Sequence, residues 1–351
     1  MYESFFRPAL FKMDPESAHN LAHKLAPLLA FSPFRFEFDA PNLTTTLSGI
    51  VLKNPVGMAA GFDKNGHLVE IADRLGFGFV EVGSVCAQAT KGNPKPRLFR
   101  LPDDNAVINR LGLNGEGAEA VAARLASSTF KVPTGLNIAK TNLPEIQGDR
   151  AIEDVLTSFE HVKRLPLAYV AFNASCPNTH EGILNERQQL NDIMSEVQKK
   201  NAGGLPIFIK MSPDSSDQLI ADIVEIAATH ALAGFICGNT STSREGLRTD
   251  AARIAEIGNG GLSGKPLKPK ALSLVKRVSN IMLANQQIIG CGGIASGQDA
   301  LEFIDSGATA VQLYTALVYH GPSLVSRINR ELSTLLTKRG VAEHNFSASS
   351  S

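Results

Sequence analysis

Cysteine is scarce in this chain and its copies stand far apart. There are four in 351 residues, Cys86, Cys176, Cys237 and Cys291, with no C-x-x-C and no histidine beside them at metal-ligand spacing. This excludes a zinc ribbon, offers no disulfide framework, and fits reduced thiols in a cytosolic compartment. Charge of one sign is lacking too, since Lys plus Arg and Asp plus Glu both number 34. There is then no global field to hold nucleic acid and no acidic tail to gather cations, which leaves a small molecule as the expected ligand. Long apolar runs are also missing. The opening MYESFFRPALFKMDPESAH scatters charges among its aromatics, so neither a signal peptide nor a spanning helix of ~20 apolar residues is expected there. Residues 339–351 have little to bury and are expected to form a disordered tail.

What the chain does have is repetition. Short β-branched or small apolar runs recur at Pro55–Ala60, Phe79–Gly83, Thr134–Ala139, Tyr169–Asn173, Ile207–Met211, Gly234–Cys237, Ile288–Gly290 and Ala310–Tyr314. Segments of helical periodicity follow them, among them Ser216–His230 and Gln298–Ser306. Eight strands each feeding a helix predict a (β/α)8 TIM barrel over residues 41–338, with a doubly wound open sheet as the alternative. Two connections, Ser84–Asn114 and Asn239–Pro266, are too long for simple turns and follow strand C-termini, so they should roof a pocket. Residues 1–40 read as a helical hairpin, with Asp14 as N-cap, Pro15 at the first helical position, and Leu21, Leu25, Leu28 and Leu29 on one face. That face either packs on the barrel or forms a partly exposed apolar mouth that meets a bilayer or a lipid-soluble ligand.

The strand ends carry chemistry. The first runs into Ala60-Gly61-Phe62-Asp63-Lys64, and Asn137, Asn173, Lys210 and Asn239 end the third to sixth. Lysines and amides converging on one rim suit a planar, anionic, hydrogen-bonding ligand. The last two strands end in Gly290-Cys291-Gly292-Gly293 and Tyr314-Thr315, and a second glycine-rich element spans Gly260–Gly264. At those positions in a barrel, glycines let backbone N–H groups approach a phosphate, and a phosphate-bearing cofactor such as a flavin mononucleotide (FMN) follows.

The motifs RPALFKMDPESAH, NPVGMAAGFDKNG, GFGFVEVGSV, GNPKPRLFRLPDDNAVINRLG, NASCPNT, FIKMSP, GNTSTSR, GGLSGKPL, IIGCGGI and VQLYTAL occur in that order. Over residues 1 to about 338 the chain resembles the membrane-associated, quinone-dependent (class 2) dihydroorotate dehydrogenases. The resemblance implies an FMN-dependent barrel that oxidises dihydroorotate to orotate in de novo pyrimidine (UMP) biosynthesis and passes the electrons to ubiquinone or menaquinone. The quinone would arrive through the N-terminal hairpin, with the protein held peripherally on the cytoplasmic face of a bacterial inner membrane. By position, Ala60, Gly61, Lys64, Ser84, Asn137, Asn173, Lys210, Gly238, Gly264, Gly293, Tyr314 and Thr315 would hold FMN. Lys64, Asn173, Asn178, Asn239, Thr240 and the segment Asn109, Arg110, Leu111, Gly112, Leu113 would hold the substrate, and His19 and Arg100 would face the quinone.

Cys176 is left open by its residues alone, as a reactive thiol, a metal ligand or a small hydrophobe. The resemblance makes it the base that takes the C5 proton of dihydroorotate, in a class that normally carries serine there. Cysteine belongs to the soluble class, and Leu113, where phenylalanine is usual, departs in the same direction. A free thiol with pKa ~8.5 suits a base at neutral pH. Gly115 stands where the family often has Asn or Ser, and Gly238 where Thr usually precedes the substrate asparagine, each removing a possible hydrogen bond of ~0.5–1.5 kcal/mol. Two alternatives remain at this stage: a soluble acceptor such as fumarate, and a silent flavin-binding barrel.

Overall fold

The computed structural model describes residues 2–174 and 187–340. Eight parallel strands, β1 (Val56–Met58), β2 (Phe79–Val85), β3 (Thr134–Ile138), β4 (Tyr169–Asn173), β5 (Ile207–Met211), β6 (Gly234–Cys237), β7 (Gln287–Cys291) and β8 (Ala310–Leu313), lie side by side in chain order. The last closes on the first with Val311 opposite Val56 and Leu313 opposite Met58. That closure decides for the (β/α)8 barrel against the open sheet. Strand inner faces pack an apolar floor of Phe79, Tyr169, Phe208, Ile236 and Ile289. Gly135 makes room for the Tyr169 ring, because a Cβ there would sit 2.2 Å from it.

A two-stranded hairpin, Thr45–Leu47 with Ile50–Leu52, stoppers the N-terminal end of the barrel by adding Leu47 and Leu52 to that floor. The helices Ala118–Ser127, Asp149–Val162, Arg187–Lys200, Asp217–Thr229, Lys268–Ser279, Gly297–Asp305 and Leu324–Lys338 bury their apolar stripes on the outside. Ser216 and Ser296 cap two of these helices, close to the sequence-predicted starts. The first crossover departs from expectation. Residues 61–76 form turns rather than a regular helix. The fully buried Asp63 carboxylate organises them by accepting from the N–H groups of Gly66, His67 and Leu68. It satisfies there the donors that a helical start would leave open.

Both long connections fold into one antiparallel sheet, Leu98–Leu101, Ala106–Asn109 and Gly261–Gly264, which stands over the C-terminal mouth of the barrel. The N-terminal hairpin is α1 (Arg7–Lys12) and α2 (Pro15–Leu25), continued by a 3-10 turn, Ala26–Phe31. Asp14 caps α2 by accepting from the Ser17 N–H at 2.8 Å, with Pro15 at the first helical position. The hairpin is fixed by polar bolts. Glu16 pairs with the Arg97 guanidinium at 2.7 and 3.1 Å, Arg7 donates to the Tyr319 carbonyl, and Tyr2 Oη donates to the Val318 carbonyl. Its apolar side stays open, with Phe31 90% and Leu28 60% exposed. No helix among the described residues is long and apolar enough to cross a membrane.

Candidate active site

Between the barrel mouth and the roof lies a cavity of about 570 Å³. Ala60, Gly61, Lys64, Ser84, Asn109, Leu111, Gly112, Leu113, Asn173, Lys210, Asn239, Thr240, Gly264, Gly293, Tyr314 and Thr315 all line it. Residues from the first strand to the last thus meet in one place, as a closed barrel requires of its strand ends. Cys176 and Asn178 lie outside the described residues; in the sequence they follow Asn173, which ends β4 at the cavity wall.

On the rim the amides are wired together. Ser84 Oγ donates to Asn137 Oδ1 at 2.5 Å, Asn173 Nδ2 donates to Ser84 Oγ at 3.3 Å, and Asn239 Nδ2 donates to Asn173 Oδ1 at 3.1 Å. Such a chain fixes the amide orientations before any ligand arrives. Lys64 Nζ donates to Asn114 Oδ1 at 2.5 Å. Burial, helped by the nearby Arg97 charge, brings the Lys64 ammonium down to about 8.

Below the rim is a layer that sequence reasoning passed over. Glu81 on β2 is fully buried and accepts from Asn137 Nδ2 at 2.9 Å, Tyr169 Oη at 2.8 Å and Gln312 Nε2 at 2.7 Å, with Lys210 Nζ 3.5 Å away. The available signal was an acidic residue inside the strand Phe79-Val-Glu-Val-Gly-Ser-Val85, in register with the inward Phe79. Asn114 and Gln312 were missed as well, the first as the end of a connection read only as a roof, the second as a single amide in an apolar strand.

Several expected positions are not cavity walls. Asn137 sits one layer down, fully buried between Ser84 and Glu81. The Arg110 side chain turns away and clamps the roof, donating to the carbonyls of Ile257, Asn259 and Pro96. Gly238 works by lacking a side chain. With φ at +134°, a Cβ there would lie 1.6 Å from the Cys291 carbonyl oxygen, so the threonine expected at this site does not fit this backbone. His19 lies beside Tyr314 and Phe62, with ring centroids at 6.4 and 5.4 Å, and 4.3 Å from His23. Burial, with the nearby His23 and Lys64, depresses His19 to about 3, so its ring is neutral. Arg100 donates to the Leu10 and Met13 carbonyls and covers the Phe11 ring at 4.5 Å, which places it under the α1–α2 turn.

Two features of the cavity fit a flavin mononucleotide. Gly293 (φ +74°) and Gly264 bring bare backbone beside Thr315; a Cβ on Gly293 would meet the Lys268 backbone N at 2.8 Å. Gln312, which lines the cavity with its Nε2 committed to Glu81, keeps a buried Oε1 without a partner, an acceptor left over for a ligand N–H. No group of three or more metal-ligating side chains exists among the described residues.

Comparison with known proteins agrees with this geometry. The family profile for dihydroorotate dehydrogenase matches residues 42–336. The chain belongs to the dihydroorotate dehydrogenase family. It is similar to the dihydroorotate dehydrogenase (quinone) of Gloeobacter violaceus, 40% identical over 342 residues that cover 95% of this chain and 94% of that one. The enzyme of the same designation from Clavibacter michiganensis subsp. michiganensis is 41% identical over 343 residues, 95% of this chain and 98% of that one. Among solved structures, dihydroorotate dehydrogenase from Eimeria tenella in complex with ferulenol superposes with a TM-score of 0.85 at 33% identity, over 95% of each chain. Dihydroorotate dehydrogenases of this family are FMN-dependent oxidoreductases, and this chain is an enzyme of that kind.

Proposed function

We propose that this chain oxidises (S)-dihydroorotate to orotate in pyrimidine biosynthesis and delivers the electrons to a membrane quinone, ubiquinone or menaquinone. The observation that carries the reading is that the wired rim of Ser84, Asn173 and Asn239 lines one cavity together with Lys64 and the glycines Gly264 and Gly293. FMN supplies the hydride acceptor at its N5 and the later electron donor.

Gly264, Gly293 and Thr315 would hold the cofactor phosphate, and Lys210, Asn173, Ser84, Gln312, Tyr314 and the backbone of Ala60 and Gly61 would hold its ring, with Asn137 supporting Ser84 from the layer below and Gly238 leaving room for the Cys291 carbonyl. Lys64 pairs with the substrate carboxylate while Asn109, Asn173, Asn178, Asn239 and Thr240 hold the ring amides. The backbone from Arg110 to Leu113 completes that wall. Cys176 takes the C5 proton; a thiol close to neutrality in pKa does this without the strong activation that a hydroxyl requires. The roof keeps bulk water from the reacting face.

Residues 1–40 form the quinone port, with His19 and Arg100 near the head group, and the exposed Phe5, Leu28, Phe31 and Phe34 rest in a lipid surface. This gives peripheral attachment, assigned to the cytoplasmic face of a bacterial inner membrane. Purified protein mixed with dihydroorotate without oxygen bleaches its flavin absorbance, and a short-chain quinone restores it. Restoration by fumarate and not by quinone would replace the acceptor; a flavin that stays oxidised would mark a silent barrel.

A further inference from the structure

Glu81 stands between the apolar floor of the barrel and the cavity, and everything it meets in the structure is a donor. Asn137, Tyr169 and Gln312 give it hydrogen bonds at 2.9, 2.8 and 2.7 Å, and Lys210 Nζ lies 3.5 Å away. Three neutral donors and an ammonium are the set that a carboxylate accepts from. Apart from Lys210, the titratable neighbours add no charge. The Tyr169 hydroxyl is held well above its ordinary range by burial and by Glu81 itself, and burial also raises the Cys291 thiol, so both stay neutral. Lys210 and Gln312 line the cavity, and Glu81 holds both from behind.

We propose that Glu81 is a positioning residue that offsets the Lys210 charge and so lowers the reduction potential of the bound flavin. The proposal rests on FMN occupying the cavity. Reduction places negative charge on the flavin ring. An uncompensated ammonium at the cavity wall, in a low-dielectric interior, would favour that reduced form and hold its electrons back from the acceptor. With Glu81 behind it, Lys210 presents a dipole rather than a full charge, and the Gln312 amide is held in place because its Nε2 donates to Glu81.

The test uses FMN-loaded protein and needs neither dihydroorotate nor quinone. Sulfite adds reversibly to flavin N5, and its affinity rises with positive charge near the ring; the potential is read independently by equilibration with a reference dye. Glu81→Gln should bind sulfite about tenfold tighter and raise the potential by a matching tenfold in the two-electron equilibrium, about 30 mV. Glu81→Asp, which keeps the charge, should stay within about threefold of wild type, far less than a full charge change between close groups implies. Tyr169→Phe strips a donor from the carboxylate and should weaken sulfite binding.

Loaded Glu81→Gln with unchanged sulfite affinity and potential overturns the proposal, as does a Glu81→Asp shift as large as that of Glu81→Gln, which would assign the effect to shape. If Glu81→Gln does not take up FMN, Tyr169→Phe decides: weaker sulfite binding supports the proposal, and unchanged or tighter binding overturns it. Wild-type protein that takes up no FMN would instead overturn the flavin reading, and this inference with it.

Discussion

The barrel mouth and the N-terminal hairpin bury their side chains in opposite ways. At the mouth, polar groups are removed from water and bonded to one another: Asn137 and Glu81 are fully buried and hydrogen-bonded, with Gln312 Oε1 left over. In α2 only Glu16 and Ala18 are buried, and the apolar residues face out. The mouth is built from fixed hydrogen bonds, whereas the hairpin keeps its hydrophobes exposed and attaches through a few polar bolts. The two regions should therefore fail separately.

The largest effect belongs to the mouth. Cys176→Ala should slow flavin reduction by dihydroorotate about 10²–10⁴-fold in rapid mixing while FMN stays bound, the ordinary weight of a general base. Cys176→Ser should remain active with its rate optimum at higher pH, because a hydroxyl ionises far above a thiol. An alanine variant that reduces at the wild-type rate would remove Cys176 from the chemistry.

Next comes the bolt. Glu16 and Arg97 are 8% and 6% exposed, and breaking a buried pair costs about 3–5 kcal/mol. Glu16→Ala should open residues 1–40 to protease and depress quinone turnover, with the dihydroorotate half-reaction intact. Equal loss of both half-reactions would show that hairpin and barrel are one unit.

The same bolt has a pH signature. The Arg97 hydrogen bond holds the Glu16 carboxyl below its ordinary range. Its stabilisation is therefore complete above the unfolded carboxylate value and is lost as pH falls through the lower folded one. Protease sensitivity of the hairpin should rise on acidification below about pH 4.3, where an unperturbed glutamate titrates, before the barrel loses its circular dichroism. On the barrel side, Lys64 titrates near 8, so kcat/KM for dihydroorotate should fall above that pH as the ammonium is lost. A profile still rising at pH 9 would exclude Lys64 as the charge that holds the substrate.

The smallest effect is at the surface. Phe31→Ser, at a side chain 90% exposed, should leave the melting temperature unchanged and reduce co-sedimentation with phospholipid vesicles. Full burial of a Phe is worth ~1.5–3 kcal/mol, an upper bound on what one residue resting in an interface contributes.

Much of this was legible in the chain. The strands stand where β-branched runs meet small residues, and Asp14-Pro15 begins α2 where capping chemistry requires. The first crossover was not legible, because Asp63, noted only as part of the first strand's end, spends both carboxylate oxygens on turn N–H groups. Nor was Arg110, whose fork finds three carbonyls from two distant segments. Glu81 escaped notice because one acid in an apolar run carries no sign of its partners, which come from β3, β4, β5 and β8.

By itself the sequence determined the alternation of strands and connections, the residues at the strand ends and the family's motifs, all set by local periodicity and side-chain chemistry. Tertiary structure alone decided that the sheet closes, that two long connections make one roof, and that a carboxylate lies beneath the cavity with four donors around it. Those facts depend on residues far apart in the chain meeting at hydrogen-bond distance, and only closure of the barrel brings them there.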